Sequence, residues 1–153
     1  MITYQIEDYE TFVPEAMELF KKHAEEMKEA LKVDFELDVG HYERLFYLGE
    51  LLFLTARENG VMVGYQVIRI AAHNRSKNTK IAQEEALFLL PEYRKGQNGQ
   101  KLLQLGAEAA RHSGAEKYYV TSQEAKPISS LLLKVGFKKK AEVYVMELEP
   151  VDG

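Results

Sequence analysis

The spacing of apolar and polar residues changes along the chain, and each change marks a predicted element. Residues 2–7, ITYQIE, alternate and predict a short strand. Beyond Pro14, the residues Met17, Leu19, Phe20, Ala24, Met27, Ala30 and Leu31 recur at three- and four-residue steps. Glu18, Lys21, Lys22, Glu25 and Lys28 fill the opposite face. That spacing predicts an amphipathic helix of about 18 residues, with Pro14 and Glu15 in its first turn. Residues 39–48 predict a second helix, with Asp38 as N-cap and Gly49 where a left-handed residue can end it.

Strands dominate the middle of the chain. LLFLTAR (51–57) and VMVGYQVIRIA (61–71) are joined by Glu58-Asn59-Gly60, and Asn-Gly between apolar runs is a strong hairpin signal. Residues 72–80, AHNRSKNTK, are polar and predict a loop. IAQEEALFLL (81–90), ending at Pro91, predicts a buried central strand. A helix over 99–113 follows, with Leu102, Leu103, Gly106, Ala109 and Ala110 on one face and Gly114 as its stop. KYYVTS (117–122) predicts a strand, Pro127 opens a short helix carrying Ile128, Leu131, Leu132 and Val135, and EVYVMEL (142–148) predicts a last strand. The order β-α-α-β-β-β-α-β-α-β predicts an α/β chain, in the α+β sense of a mixed sheet covered on both faces. No repeat, low-complexity tract or linker divides it, so 1–153 is expected to be a single domain.

Composition narrows the chemistry. The 153 residues include no cysteine, which excludes a disulfide framework, a thiolate metal site and a cysteine nucleophile. His23, His41, His73 and His112 are scattered without zinc-ligand spacing, so no metal is expected. No apolar run approaches the roughly 20 residues of a membrane span. The acidic start MITYQIEDYE lacks the basic-then-apolar pattern of a signal peptide, so a cytoplasmic protein with no membrane partner is expected. The acidic balance argues against a nucleic-acid partner, Lys138–Lys140 being too short a basic run. The net charge of −4 hides a split: residues 1–60 hold 14 acids and 6 bases, residues 61–153 hold 10 acids and 14 bases. Such a split raises the question of two halves of one site binding opposite charges.

The informative segment is ALFLLPEYRKGQNGQKLLQLGAEAA (86–110), a buried strand that enters a turn with Arg94, Lys95, Gly96 and Gly99 and opens into a helix. The first turn of a helix leaves about four N–H groups unpaired and partly positive. A glycine-containing turn lets a ligand reach them, and Arg94, Lys95 and Lys101 add charge. The segment is therefore a phosphate or pyrophosphate site, or an ordinary strand-to-helix turn with surface lysines. Neither a Walker loop nor G-x-G-x-x-G is present.

This stretch resembles the GCN5-related N-acetyltransferases (GNAT), whose hallmark is a strand, then [Q/R]-x-x-G-x-[G/A], then a helix. Pro91-Glu92-Tyr93-Arg94 leads into it, Lys101-Leu102-Leu103 continues it, and Lys134-Val135-Gly136-Phe137 and the element order agree along nearly the whole chain. HNRSKNTKIAQEEALFL (73–89) further resembles small acetyltransferases encoded by bacteriophages, which would place the protein in a host cytoplasm. Two positions depart from the family. Gln97 stands where the pattern has its first glycine, which comes one residue earlier at Gly96, and Leu132 stands where a tyrosine general acid is often found.

The resemblance implies transfer of an acetyl group from acetyl-CoA to a primary amine, by direct attack in a ternary complex. It implies that the backbone of Leu87 and Leu89 pairs with the pantetheine arm, and that Arg94, Lys95, Gly96, Gln97, Asn98, Gly99, Gln100 and Lys101 surround the pyrophosphate. Period two places Gln83, Glu85, Leu87 and Leu89 on one face of the central strand. Glu85 is then the expected base for the amine proton, directly or through water, with Glu84 the alternative on the other face. Tyr144 on the last strand is the expected proton donor to the thiolate, and Glu26, His73 and Gln83 are expected acceptor contacts. His23, on the apolar face of the first helix, is expected to pack. The resemblance implies that the first two helices and neighbouring loops form much of the acceptor wall. Here those segments carry Glu25, Glu26, Asp34, Glu36 and Asp38, which points to a cationic amine, polyamine-like or a protein lysine. A homodimer is compatible with the resemblance, but the sequence specifies no interface. The alternative is a GNAT-fold module that binds acyl-CoA or a host protein with weak or no catalysis.

Overall fold

The computed structural model describes residues 1–31, 38–73 and 75–151. Strand β1 (Ile2–Glu7) meets helix α1 (Tyr9–Leu31) at Asp8, whose carboxylate accepts a hydrogen bond from Thr11 N at 2.9 Å. That cap starts the helix before Pro14, so it has 23 residues rather than about 18. Its buried stripe is Phe12, Ala16, Leu19 and Phe20, while Met17, expected on that stripe, is 40% exposed. Helix α2 (Val39–Tyr47) starts as expected at Asp38, which accepts from His41 N. Asp34 and Glu36 lie outside the described residues, as does Asn74.

β2 (Leu51–Glu58) and β3 (Val61–His73) form the expected hairpin, with φ positive at both Asn59 (52°) and Gly60 (83°), as a type I′ turn requires. β3 then turns directly into β4 (Ser76–Leu89), His73 opposite Ser76. The polar stretch 72–80 is thus a second hairpin rather than a loop. Most of its side chains are exposed, so no apolar alternation marks it as a strand. A 3₁₀ turn (Pro91–Tyr93) leads to α3 (Asn98–His112), followed by β5 (Tyr118–Tyr119) and α4 (Ser129–Val135).

The described residues form a mixed α+β fold with four helices and one sheet ordered β1-β2-β3-β4-β5. Neighbouring strands are antiparallel except β4 and β5, which are parallel. Helices α1 and α2 cover one face, where Phe12 stacks on Phe53 at 4.4 Å and meets Tyr65 edge-on. Helix α3 covers the other face with Leu102, Leu103 and Ala110. There Gln66, fully buried, donates to Leu102 O at 2.8 Å and accepts from the Tyr118 hydroxyl.

One expected element is absent. EVYVMEL forms no strand, and Val143, Tyr144, Val145, Met146 and Leu148 are 79–89% exposed. Apolar alternation reports a capacity to pair, and this segment pairs with no strand among the described residues.

Candidate active site

Strands β4 and β5 pair at only two positions, Ala82 with Tyr118 and Gln83 with Tyr119. Beyond Gln83, β4 runs on to Leu89 with its outer edge open among the described residues. A β-bulge accompanies the parting. On β3, consecutive Val67 and Ile68 face Ala86 and Glu84, which leaves Glu85 as the extra residue.

The bulge shifts the parity of the strand. Before it, Ala82 N donates toward β5, to Lys117 O; after it, Leu90 N donates toward β3, to Val63 O. Backbone groups alternate sides along a strand, so Leu87 and Leu89 direct theirs to the open edge. Arg94 Nε already donates to Leu89 O at 2.7 Å. The N–H groups of Leu87 and Leu89 therefore face the open edge as donors. The same shift corrects the expected shared face. Gln83, opposite Arg69, lies on the α1 side, whereas Leu87 and Leu89, opposite Gln66 and Gly64, lie on the α3 side.

Glu84 and Glu85 flank the parting. Glu84 sits opposite Ile68 on the α3 face, where burial, and then the charge of Glu85, push its carboxyl up to about 7. Glu85 is exposed, and its charge, with that of Glu84, adds to burial in raising the Tyr42 hydroxyl. Neither carboxylate has an ion-pair partner among the described residues. Two adjacent glutamates in an apolar strand were visible in the sequence; which of them is buried depends on the bulge.

At the entrance to α3, the left-handed position is Gly96 (φ 72°), while Gln97 has φ −107°, which any residue adopts. The turn is therefore shifted by one residue, and Gln97 fits it. The first helical bond runs from Lys101 N to Gln97 O, so the amides of Asn98, Gly99 and Gln100 have no intrahelical acceptor. Gly99 has a packing reason: a Cβ there would stand 3.3 Å from Leu131 Cδ2 of α4. Gln97, Asn98 and Lys101 line a cleft of about 570 Å³ with Ile2, Thr3 and Tyr4 of β1, and Lys95 is exposed beside it.

Arg94 is already committed. Besides Leu89 O, its guanidinium holds Glu26 at 2.7 Å and lies 5.5 Å from the Phe88 ring centroid. Lys126 reaches the same carboxylate at 2.6 Å. Burial raises the Glu26 carboxyl, but these two cations outweigh it and hold the group below its usual range. Glu26, expected to face the acceptor, instead clamps α1 to the turn before α3. Asp38 is spent as a cap and Glu25 is exposed.

His23 packs, as expected. Its Nδ1 lies 2.7 Å from the Tyr65 hydroxyl and its ring stacks on Phe88 at 4.9 Å. Burial pushes its pKa down to about 4, with Glu26 opposing and Arg94 assisting. The folded ring stays neutral where the unfolded one is charged, so its contribution is complete above pH 6.5 and is lost as the pH falls toward 4. Relative to His23→Gln, the wild-type chain is expected to lose about 3 kcal/mol over that window. Urea unfolding of both proteins at pH 7.5 and 4 measures the change, and a pH-independent difference would contradict it.

Two expected site residues are not brought to the parting. His73 lies at the hairpin tip and accepts from Arg75 N, about 17 Å along β3 from Ile68, the partner of Glu84. Tyr144, 85% exposed on the C-terminal segment, donates to Glu142 at 2.6 Å.

A family model described as the acetyltransferase (GNAT) family matches residues 13–137. Solved structures share the fold. An aminoglycoside acetyltransferase from an uncultured soil metagenomic sample aligns with TM-score 0.72 and 15% identity, over 97% of this chain and 99% of that one. A ribosomal-protein-alanine N-acetyltransferase from Brucella melitensis biovar Abortus 2308 gives 0.70 and 15%, over 96% and 99%. Glucosamine-6-phosphate N-acetyltransferase from Arabidopsis thaliana gives 0.72 and 12%, over 97% and 99%. Among curated proteins, none matches this chain in sequence.

Proposed function

The chain belongs to the acetyltransferase (GNAT) family and is an acetyl-CoA-dependent N-acetyltransferase; on that premise we propose that its acceptor is a cationic primary amine and that Glu84 takes its proton. The observation that carries this reading is the parting of β4 and β5 at a bulge flanked by two carboxylates without cationic partners among the described residues.

The open edge of β4 supplies donors at Leu87 and Leu89 for the pantetheine arm and for the thioester oxygen as it becomes an oxyanion. The free amides at the start of α3, with Lys95 and Lys101, suit the pyrophosphate. Exposed Glu85 draws the cationic amine in, and holding the two reactants together supplies much of the acceleration. The amine nitrogen attacks the thioester carbon, the C–S bond breaks, and the proton accepted by Glu84, directly or through water, is matched by the one the thiolate takes up. The proton goes to Glu84 rather than Glu85 because a base with pKa near 7 is both available and effective at neutral pH. The acceptor is polyamine-like or a protein lysine. We also read residues 73–89 as a sign of the bacteriophage-encoded branch, acting in a host cytoplasm.

The test is turnover of amines of different charge. Cationic primary amines are expected to exceed carboxylate-bearing amines by about tenfold in kcat/KM, the worth of one favourable charge contact. Glu85→Gln should raise KM for cationic amines and leave kcat nearly unchanged. Equal turnover of acidic and basic amines would remove the acceptor assignment.

A further inference from the structure

We infer that the acceptor amine belongs to a lysine within a peptide chain, and that Arg69 selects it by donating to an oxygen of the flanking peptide groups. The assignment rests on the cationic-amine reading above and narrows it. Its starting point is an arginine whose donors are not spent. Arg69 Nε is cut off from solvent and has no hydrogen-bond partner among the described residues. The guanidinium makes one ion pair, from Nη2 to Glu50 at 3.4 Å, longer than the about 2.7–2.9 Å of a strong charge-assisted bond. Arg57 and Arg94 differ. Arg57 bonds Glu7, Glu15 and Gly60 O, and Arg94 bonds Leu89 O and Glu26. A buried donor without an acceptor is costly, so an acceptor from solvent or from a ligand is expected at Arg69.

Arg69 does not stand alone. The strand register sets it opposite Gln83 on β4, and Gln83 opposite Tyr119 on β5. Cross-strand partners share a face, so the three side chains form one row on the α1 side of the sheet. Neither the Gln83 amide nor the Tyr119 hydroxyl makes a hydrogen bond among the described residues, and both side chains are exposed. The row crosses the sheet at the last position where β4 and β5 pair, one residue before Glu84. Arg69 stands one strand in from that edge, about 4.8 Å. It therefore borders the parting on the face that Gln83 shares.

The chemistry of the row separates the two acceptors left open above. A peptide group carries a carbonyl acceptor and an N–H donor. Arg69 offers donors only and the Gln83 amide offers both, which matches that pair. A polyamine has no oxygen for Arg69 to bond, and its second ammonium would meet the guanidinium as a like charge. Exposed Glu85 stays available for the one ammonium that a lysine brings.

The test uses the full chain, saturating acetyl-CoA and three amines of matched length: Nα-acetyl-lysine methylamide, pentylamine and 1,5-diaminopentane. On the wild type the capped lysine is expected to exceed pentylamine by about tenfold or more in kcat/KM, the worth of one hydrogen bond to a charged group, with the diamine slowest. Arg69→Met should bring the lysine-to-pentylamine ratio close to one through KM, and should raise the diamine relative to pentylamine. Arg69→Lys, which keeps the charge and loses the fork, should recover only part of the preference. A purely structural role would slow all three amines together and leave their ratios unchanged, and that result overturns the assignment. A wild-type chain that acetylates capped lysine and pentylamine equally, or the diamine fastest, overturns it without any variant, while the cationic-amine reading survives. A preference for carboxylate-bearing amines would instead remove that reading, and this assignment with it.

Discussion

Glu84→Gln is expected to slow acetyl transfer by about 10²–10⁴-fold, the usual contribution of a positioned base, while KM for acetyl-CoA stays close to wild type. An alkylammonium acceptor loses its own proton only near pH 10, so at neutral pH the reaction depends on a group that accepts it. Glu84 combines burial at the parting with a pKa of about 7. In the wild type, kcat/KM should therefore rise with pH through about 7, and the variant should lose that limb. The same burial gives the variant a second signature. The folded pKa lies above the unfolded one, so the contribution of this group to stability is complete below pH 4.5 and is lost as the pH rises through 7. At pH 8 the buried carboxylate costs about 3 kcal/mol, and glutamine removes that cost. The variant should be slower and, at pH 8 but not at pH 4.5, more resistant to urea. Rates within twofold of wild type from pH 6 to 9 would move the proton to another group, Glu85 first.

Gly106→Ala is expected to destabilise the fold by about 3 kcal/mol or more, although helix propensity alone predicts a gain of about 1 kcal/mol. A Cβ at position 106 would stand 2.5 Å from Gln66 Oε1 and 2.6 Å from its Cδ. Gln66 is fully buried and cannot give way without leaving Leu102 O and the Tyr118 hydroxyl. A buried polar group left unpaired costs about 1–3 kcal/mol, and overpacking adds a similar amount. Denaturant unfolding of the single variant gives the sign. In a Gln66→Ala background the same substitution should cost much less, and an unchanged cost there would place the clash elsewhere. Because Tyr118 belongs to β5, the damage should extend to the position of that strand beside the cleft.

Elements with local chemistry were legible in the sequence. Asn59-Gly60 forms its hairpin because left-handed residues demand those types, and Asp38 caps α2 with its own side chain. The start of α3 and the shifted glycine at Gly96 belong to the same class. What failed depends on distant partners. Pro14 suggested a helix start, but Asp8 caps a turn earlier and the helix accommodates the proline. Residues 72–80 read as a loop because a strand exposed on most sides needs no apolar residues. EVYVMEL read as a strand because propensity is local, whereas pairing requires an edge. The ion pairs of Glu26 join residues 68 and 100 positions away, and no pattern in α1 announces them. Phosphate chemistry at the α3 turn could be argued from the chain alone. Which of the two adjacent carboxylates lies on the α3 face could not, because one inserted residue reverses which side chains share a face and which amides point to the open edge.

That inserted residue sets a particular kind of requirement on the gene. The bend at the parting follows from the number of residues between Glu84 and Ala86 rather than from their identities, because Glu85 has no partner on β3. Substitutions in this stretch leave the arithmetic intact. Loss of the Glu85 codon would remove the bend while Ala86 and Leu87 kept Val67 and Gln66 as partners, so the Leu87 and Leu89 amides would still face outward and β4 could continue alongside β5. The parting of β4 from β5 is thus a frame-like property: tolerant of changed letters, intolerant of a changed count.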